Sequence, residues 1–424
     1  MKSKKFVLAA LALLAAITMV LLPLAGCKND SVPETPKYTV SFNTDGGSTV
    51  ASQTVESGQK AKEPAEPELK GSWFLGWYSD EGLAKKFDFN TPITTATTVY
   101  AKWSYKLHTK PTTLTNYTSS HAPEGEWTYV EFGDWPQNIL KGDVKVDETK
   151  SKEMGMFTYY LGDDGNHYVK AEENACETGY KYSDDSEVKQ KDESSSPSTR
   201  WFKVEPIKWR VLTTSYKAPE GGTAGNALLL AEKILTGGIK WAVSSNNYMQ
   251  SYIRQWLNGN SGTEETSDYN GDAGFLQTAF TQSAQDLIEL TSVDNSDASI
   301  SGTGENTQEY PYAYGNTTDK IFLLSLQEAI TESYGFATYS DAGEGSTRIR
   351  LTTDYAKATG ANQDSTPGYG GWWWLRSPFY NLESYARDIR YDGSADECNV
   401  VYSNVVSSAY GDGGVVPALS ISLQ

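Results

Sequence analysis

Polar and apolar positions fall into distinct regimes along this chain, and each regime predicts its own element. Residues 6–24 form an apolar run broken only by Thr18 and Pro23, preceded by Lys2, Lys4 and Lys5. A charged stretch followed by an apolar one is the order of an export signal, and the small Ala25 and Gly26 ahead of Cys27 favour cleavage over a retained membrane span. Residues 1–26 therefore read as a signal peptide, and residues 27–37, polar and holding Pro33 and Pro36, as a spacer. Tyr38, Val40 and Phe42 then alternate with polar residues and end in Asn43-Thr44-Asp45-Gly46-Gly47, a turn whose glycines supply positive φ. Further short strands are predicted within 48–55, 73–78 and 97–103, giving a first domain over residues 38–103.

Residues 104–126 are rich in Thr, Ser and Pro, lack periodicity, and read as a linker. A second domain over 127–424 opens on an alternating strand, 127–137, halted by Gly133 and Pro136. Residues 157–161 and 167–170 flank a Gly- and Asp-rich turn and predict a hairpin. Residues 181–200 are charged and Ser-rich, which predicts a mobile loop. In the strand 201–212, Ile207, Trp209 and Val211 share one face, which sends Lys208 and Arg210 toward solvent. Helices are predicted over 247–257, with Tyr248, Ile253, Trp256 and Leu257 as an apolar stripe stopped by Asn258-Gly259, and over 274–290. A buried strand at 321–324 leads into a short helix through Ala329. Residues 347–358 read as a strand entering a helix capped by Thr352 or Thr353. Three adjacent tryptophans, Trp372, Trp373 and Trp374, must point to both faces of a strand, so at least one is expected in the core and another half exposed.

The tetrapeptide Leu24-Ala25-Gly26-Cys27 resembles the lipobox of bacterial lipoproteins. That resemblance implies a diacylglycerol thioether on Cys27, cleavage before it, and acylation of the new amino group. Each buried methylene contributes about 0.8 kcal/mol, so several acyl chains hold a soluble domain on a membrane. The expected location is the bacterial cell envelope, lipid-anchored and exposed at the surface.

Composition narrows the partners. The formal net charge of −18 disfavours nucleic acid and anionic lipid surfaces. With Cys27 lipidated, Cys176 and Cys398 remain and could pair in an oxidising compartment, where one bridge would staple rather than define the fold. No zinc-ligand spacing occurs, since both thiols are isolated and His108, His121 and His167 sit in polar, loop-like sequence, so no metal and no cofactor is expected.

The motifs FNTDGG, GWYSD, FDFNTPIT and VYAKW resemble the Listeria–Bacteroides (internalin B-type) repeat across residues 38–103. The resemblance implies a β-grasp-like module that serves as a spacer or adhesive unit on bacterial surfaces. Downstream, FGDWPQ, IKWRVL, LLLAEKIL, SYIRQWLNG, FLLSLQEA, RLTTDYAKA, WWWLRSP and VVPALSI resemble an uncharacterised family of bacterial surface domains. That family looks related to the C-type-lectin-like fold of formylglycine-generating enzymes and of the variable proteins of diversity-generating retroelements. The expected fold class is α+β: a β-grasp-like repeat module followed by a C-type-lectin-like α+β domain. Val416 stands where the family carries Arg, a change expected to shift stability rather than function.

Between residues 379 and 410 the chain is dominated by Tyr, Asn, Ser, Asp and Arg, the adaptable and rigid-aromatic mixture that binding loops use. The resemblance makes Tyr380, Asn381, Glu383, Tyr385, Arg387, Asp388, Arg390, Tyr391, Asn399, Tyr402 and Asn404 candidate ligand-facing positions. A hydrophilic hairpin at Tyr391-Asp392-Gly393-Ser394 with ordinary solvated strands accounts for the same composition. No catalytic residue stands out: Cys176 lies in a polar insertion, and the pairs Asp163-Asp164 and Asp184-Asp185 lie on loops where solvation explains them. The Glu-Pro-Asn and Gln-Pro-Asp signatures of calcium-dependent lectins are absent. The function expected is binding of an extracellular protein or glycan, with membrane contact through the lipid anchor. The alternatives are a structural envelope protein, or an enzyme built on a formylglycine-generating-enzyme-like fold.

Overall fold

A computed structural model describes residues 34–115, 117, 119, 127–173, 180–189, 198–216, 225–242, 245–259, 273–300, 314–336, 342–343, 345–379, 384–395, 398–400 and 413–422. Cys27 and the signal peptide lie outside these residues. The chain forms two compact units.

The smaller unit takes its described residues from 34–41, 51–63 and 88–98. In it residues 37–41 of β1 (Lys37–Asn43) run antiparallel to β2 (Gln53–Glu56), with Tyr38 opposite Val55 and Val40 opposite Gln53. Val40 and Val55 are buried, as an alternation of apolar and polar positions requires. Ile93 of the same unit is also buried; its N–H donates to the Gln59 carbonyl and its carbonyl accepts from Gly58 N–H, at 2.8 Å each.

The larger unit takes residues 42–50, 64–87 and 99–424. Its first strands, β3 (Phe74–Tyr78) and β4 (Thr97–Trp103), pair antiparallel with Trp77 opposite Ala101. The stretch expected as a linker is docked where it is described. Tyr105 N–H donates to the Gly165 carbonyl at 2.8 Å, Gly133 N–H to the His108 carbonyl at 2.9 Å, and β5 (Thr112–Thr113) pairs with β6 (Tyr129–Ile139). Main-chain groups of a polar segment thus find partners that its composition does not advertise.

β7 (Val146–Met154), β8 (Phe157–Gly162) and β9 (His167–Glu172) follow as a meander, and the predicted hairpin forms with Tyr160 opposite Tyr168. β10 (Thr199–Tyr216) is the hub of the sheet. Its start pairs with β9, its middle with β6, and its end with β11 (Asn226–Ala231). The helical region is shorter than its periodicity suggests. α1 (Tyr252–Asn258) follows a single 3-10 turn, and the second predicted helix breaks into α2 (Phe275–Ala279) and α3 (Gln282–Gln285). The break falls at Thr281, whose extended backbone and side chain cap α3. Then come β12 (Thr291–Val293), β13 (Thr317–Asp319) and β14 (Ile321–Phe322), α4 (Leu326–Ala329), and α5 (Asp354–Ala358), capped by Thr353. β15 (Trp373–Pro378), β16 (Tyr385–Ile389), β17 (Cys398–Val400) and β18 (Ala418–Ser422) complete the unit.

The large sheet has the order β14-β18-β11-β10-β9-β8-β7, with β6 joined to β10 and β5 to β6; β15, β16 and β17 form a separate three-stranded sheet. The fold is mostly β, with short helices among the described residues.

Several expectations change with this architecture. Arg210 is fully buried, whereas Lys208, expected on the same face, is half-exposed: the Arg210 guanidinium lies under the Trp127 and Tyr129 rings and pairs with buried Glu232. All three tryptophans of 372–374 are buried, at 4%, 0% and 0% exposure. Trp373 Nε1 donates to the Arg348 carbonyl at 3.2 Å and the Trp372 and Trp374 rings meet edge to face at 5.0 Å. The expected mobile loop 181–200 is anchored at Tyr182 and Val188, both buried, with Tyr182 Oη donating to Glu173 at 2.9 Å; residues 190–197 lie outside the described set. His167 is buried in β9 rather than in a solvated loop. Trp209 buries its whole ring and still places Nε1 on the Phe132 carbonyl at 2.7 Å, so that large apolar area is gained without orphaning a donor.

Candidate functional site

The three-stranded sheet carries the segment singled out by composition. β15 pairs with β16 and β16 with β17, Tyr385 opposite Val400 and Arg387 opposite Cys398. A turn leaves β16 at Arg390, and its frame is built from main-chain bonds. Arg390 N–H donates to the Ser394 carbonyl at 3.0 Å and Gly393 N–H to the Arg390 carbonyl at 2.9 Å. Asp392 Oδ1 accepts from Ser394 N–H at 3.0 Å and from its hydroxyl at 2.8 Å. Neighbouring loops grip the same turn: Gly370 N–H donates to the Tyr391 carbonyl at 2.9 Å, Gly343 N–H to the Asp392 carbonyl at 2.8 Å, and buried Arg348 Nε to the Gly393 carbonyl at 2.6 Å. Gly393 has φ +85°, and a Cβ there would lie 2.4 Å from Ser346 Oγ, so both conformation and space demand glycine.

On this frame stand half-buried side chains. The Tyr391 ring lies 5.7 Å from Tyr369, tilted by 31°, and the Arg390 guanidinium sits 5.7 Å from the Tyr391 ring. Residues 365–368, directly before Tyr369, are exposed. At the other end of β16, Asn246 Nδ2 donates to the Tyr385 carbonyl at 2.9 Å and the Phe379 carbonyl at 3.3 Å, clamping the two ends of the loop between β15 and β16.

The structure sorts the candidate residues. Tyr385, Arg390 and Tyr391 are half-buried and available in part to solvent. Arg387 and Asp388 are buried, at 2% and 0%, and do not present to a ligand: β16 is covered on both faces, and the Arg387 guanidinium packs 4.9 Å from the Phe379 ring. Asn399 lies in β17, opposite Ala386, with its side chain outside the described set. Tyr380, Asn381, Glu383, Tyr402 and Asn404 lie outside the described residues, as does Cys176, so the pairing of Cys176 with Cys398 falls there too. Tyr369 joins the patch from a segment that its sequence did not mark.

Two polar assemblies also escaped sequence reasoning. In the first, buried Asp134 accepts from Tyr105 Oη at 2.5 Å, from His108 Nδ1 at 2.8 Å and from His108 N–H at 2.7 Å. Burial pushes the His108 imidazole down, but Asp134 and then Glu131 outweigh it, and its pKa stands above the ordinary value. In the second, Arg210 sets Nε and Nη2 on Glu232 at 3.1 Å each, and Ser119 donates to the same carboxylate. Burial pushes the Glu232 carboxyl up, while Arg210 and Arg350 pull it further down, below the usual carboxylate range.

A wide groove of about 1210 Å³ is lined within the larger unit by Glu68, Trp73, Trp103, Lys150, Lys152 and Tyr159 among others, and none of its lining residues belongs to 379–410. Lys152 lies 5.0 Å from the Trp73 ring and donates to the Ser72 carbonyl. No cluster of three or more metal-ligating side chains occurs among the described residues. No helix among them is long and apolar enough to cross a membrane.

Comparison with known proteins adds to this picture. Residues 38–102 match the Listeria-Bacteroides repeat domain, in keeping with the motifs read there, and residues 224–423 match a domain of unknown function (DUF6273). A putative membrane protein of Evansella cellulosilytica is 41% identical over 91 residues, 21% of this chain and 14% of that one. A putative Gly-rich membrane protein of the same organism is 42% identical over 76 residues, 18% of this chain and 9% of its own length. The chain thus spans only a small part of the curated relatives it matches.

Proposed function

We propose that this protein is a lipid-anchored surface protein that binds an extracellular protein or glycan, and that Tyr369, Arg390 and Tyr391 form part of its contact surface. The observation that carries the reading is the patch itself: Arg390 and Tyr391, half exposed on a turn whose main chain is held by Gly343, Arg348 and Gly370, with the tilted ring of Tyr369 beside Tyr391. Rigid aromatic anchors lose little entropy on binding, and Tyr and Arg dominate the energetics of protein contacts. The lipobox at Cys27, the repeat domain and the description of two relatives as membrane proteins support the envelope location. The larger unit is read as C-type-lectin-like on its sequence resemblance. Binding is favoured over catalysis because the half-exposed patch offers contact area and no nucleophile paired with a base.

The test is a binding measurement with soluble protein lacking the lipid, applied to glycan arrays and to intact cells. Saturable binding should fall at least tenfold in the combined variant Y369A/R390A/Y391A with its unfolding midpoint unchanged. Binding that survives in that variant but is lost in W73A would move the site to the groove beside Lys152. No saturable binding to either probe would favour a structural envelope role.

A further inference from the structure

The charge cluster behind β10 is unbalanced in one specific way. Arg210 and Arg350 are both at 0% exposure, and they share an acceptor: Nη1 of Arg210 donates to the Thr347 carbonyl at 3.0 Å, and Nη1 of Arg350 to the same carbonyl at 2.9 Å. Two like charges therefore lie within one carbonyl of each other, facing, among the described residues, a single carboxylate, Glu232, at 5% exposure. Arg210 uses the edge formed by Nε and Nη2 to take both oxygens of Glu232. Arg350 adds a second carbonyl, Ile349 at 2.9 Å, to Nη1, and its own Nε and Nη2 have no protein acceptor. The Trp127 and Tyr129 rings cover the neighbouring Arg210 guanidinium at 4.6 and 5.9 Å, which keeps water from the pair.

The physical chemistry of that arrangement is restrictive. A guanidinium does not shed its proton in a protein, so burial cannot neutralise Arg350. An isolated buried charge is opposed by several kcal/mol of lost hydration unless a counter-charge sits beside it. Water could satisfy the two N–H groups but would leave the extra positive charge in place. The Nε and Nη2 edge is the planar fork that recognises anions with two parallel hydrogen bonds, as the neighbouring Arg210 demonstrates with Glu232. The surplus among Arg210, Arg350 and Glu232 is a single positive charge, and full burial of Arg350 leaves no approach for a large ligand. Burial and the adjacent Arg210 both oppose the charged form of Arg350, and an added anion would favour it.

We propose that the Nε and Nη2 edge of Arg350 is a binding site for one small monovalent anion of the halide type. The anion completes the charge balance of the core and is a structural ligand independent of the surface patch.

Bromide is the probe. Thermal unfolding of the full-length chain in detergent is followed as bromide replaces gluconate at constant ionic strength. A saturable rise of the midpoint, about 2–4 °C, is expected for the wild type. R350M removes the surplus charge and should show no bromide dependence, whereas K150M at the exposed edge of the groove should respond like the wild type. Crystals of the wild type grown in bromide should show an anomalous peak within hydrogen-bonding range of Arg350 Nε and Nη2, and this arm stands even if R350M does not fold. A midpoint indifferent to bromide, an equal response in R350M, or density at Arg350 without anomalous signal would each overturn the proposal.

Discussion

Replacing Glu232 by Ala removes the one carboxylate among the described residues that Arg210 contacts and leaves two guanidinia facing each other across the Thr347 carbonyl. The pair is nearly dry, with side-chain exposures of 0% and 4%, so solvent cannot screen what remains. Breaking one side of a buried ion pair costs about 3–5 kcal/mol, because the stranded charge keeps its desolvation penalty and loses its partner. Two stranded charges of the same sign put E232A at the upper end of that range. Urea unfolding followed by tryptophan fluorescence reads the effect, since Trp209 and Trp373 lie in the same buried core, and urea avoids adding anions. An exposed control, D147A, breaks the pair with Lys150 and should cost under about 1 kcal/mol. Replacing the whole trio with apolar residues, R210M/E232L/R350M, should restore stability or exceed the wild type by about 1–4 kcal/mol. If E232A unfolds within about 1 kcal/mol of the wild type at unchanged m-value, the account of this cluster is wrong.

The two described histidines should respond to pH with opposite signs. His108 has a raised folded pKa, so its contribution is fully present below about 6.5 and disappears as pH rises through the folded value; the stability advantage of wild type over H108Q should shrink across that window in a pH series of unfolding midpoints. His167, pushed down to about 3 by burial and by Lys152, binds no proton in the folded state near neutrality, and its Nε2 meets Ser104 Oγ at 2.8 Å. The unfolded chain takes up that proton below about 6.5, so each further pH unit should cost about 1.4 kcal/mol, and H167N should flatten this acid limb. G393A should lose about 1–3 kcal/mol, since φ +85° strains any L side chain and the new Cβ collides with Ser346; an unchanged midpoint would mean that the turn is not gripped as described.

Strand positions were legible because alternation and turn chemistry act locally: Gly162 to Asn166 closes the β8–β9 hairpin, and Thr353 caps α5. Facing was less legible. Period-two reasoning sends Lys208 and Arg210 to water together; Lys208 is half-exposed, but Arg210 is covered by the Trp127 and Tyr129 rings and paired with Glu232, partners that alternation does not foresee. The same missing information hid the burial of Trp372 to Trp374 and of Arg387 and Asp388. Partners far apart in sequence left no local trace at all. His108 and Asp134 are separated by 26 residues and Arg210 and Arg350 by more than a hundred, and no spacing rule links them. The repeat domain, by contrast, is readable from contiguous motifs across residues 38–103, and the family match covers residues 38–102.

Because the turn at 390–394 is fastened through amides and carbonyls of Arg390, Tyr391, Asp392 and Gly393, the identities of the outward groups at 390 and 391 are decoupled from the integrity of the loop that displays them. Exchanging those two residues through a combinatorial library would sample new specificities on a fixed stage, and selection could act on recognition there without first having to rescue folding.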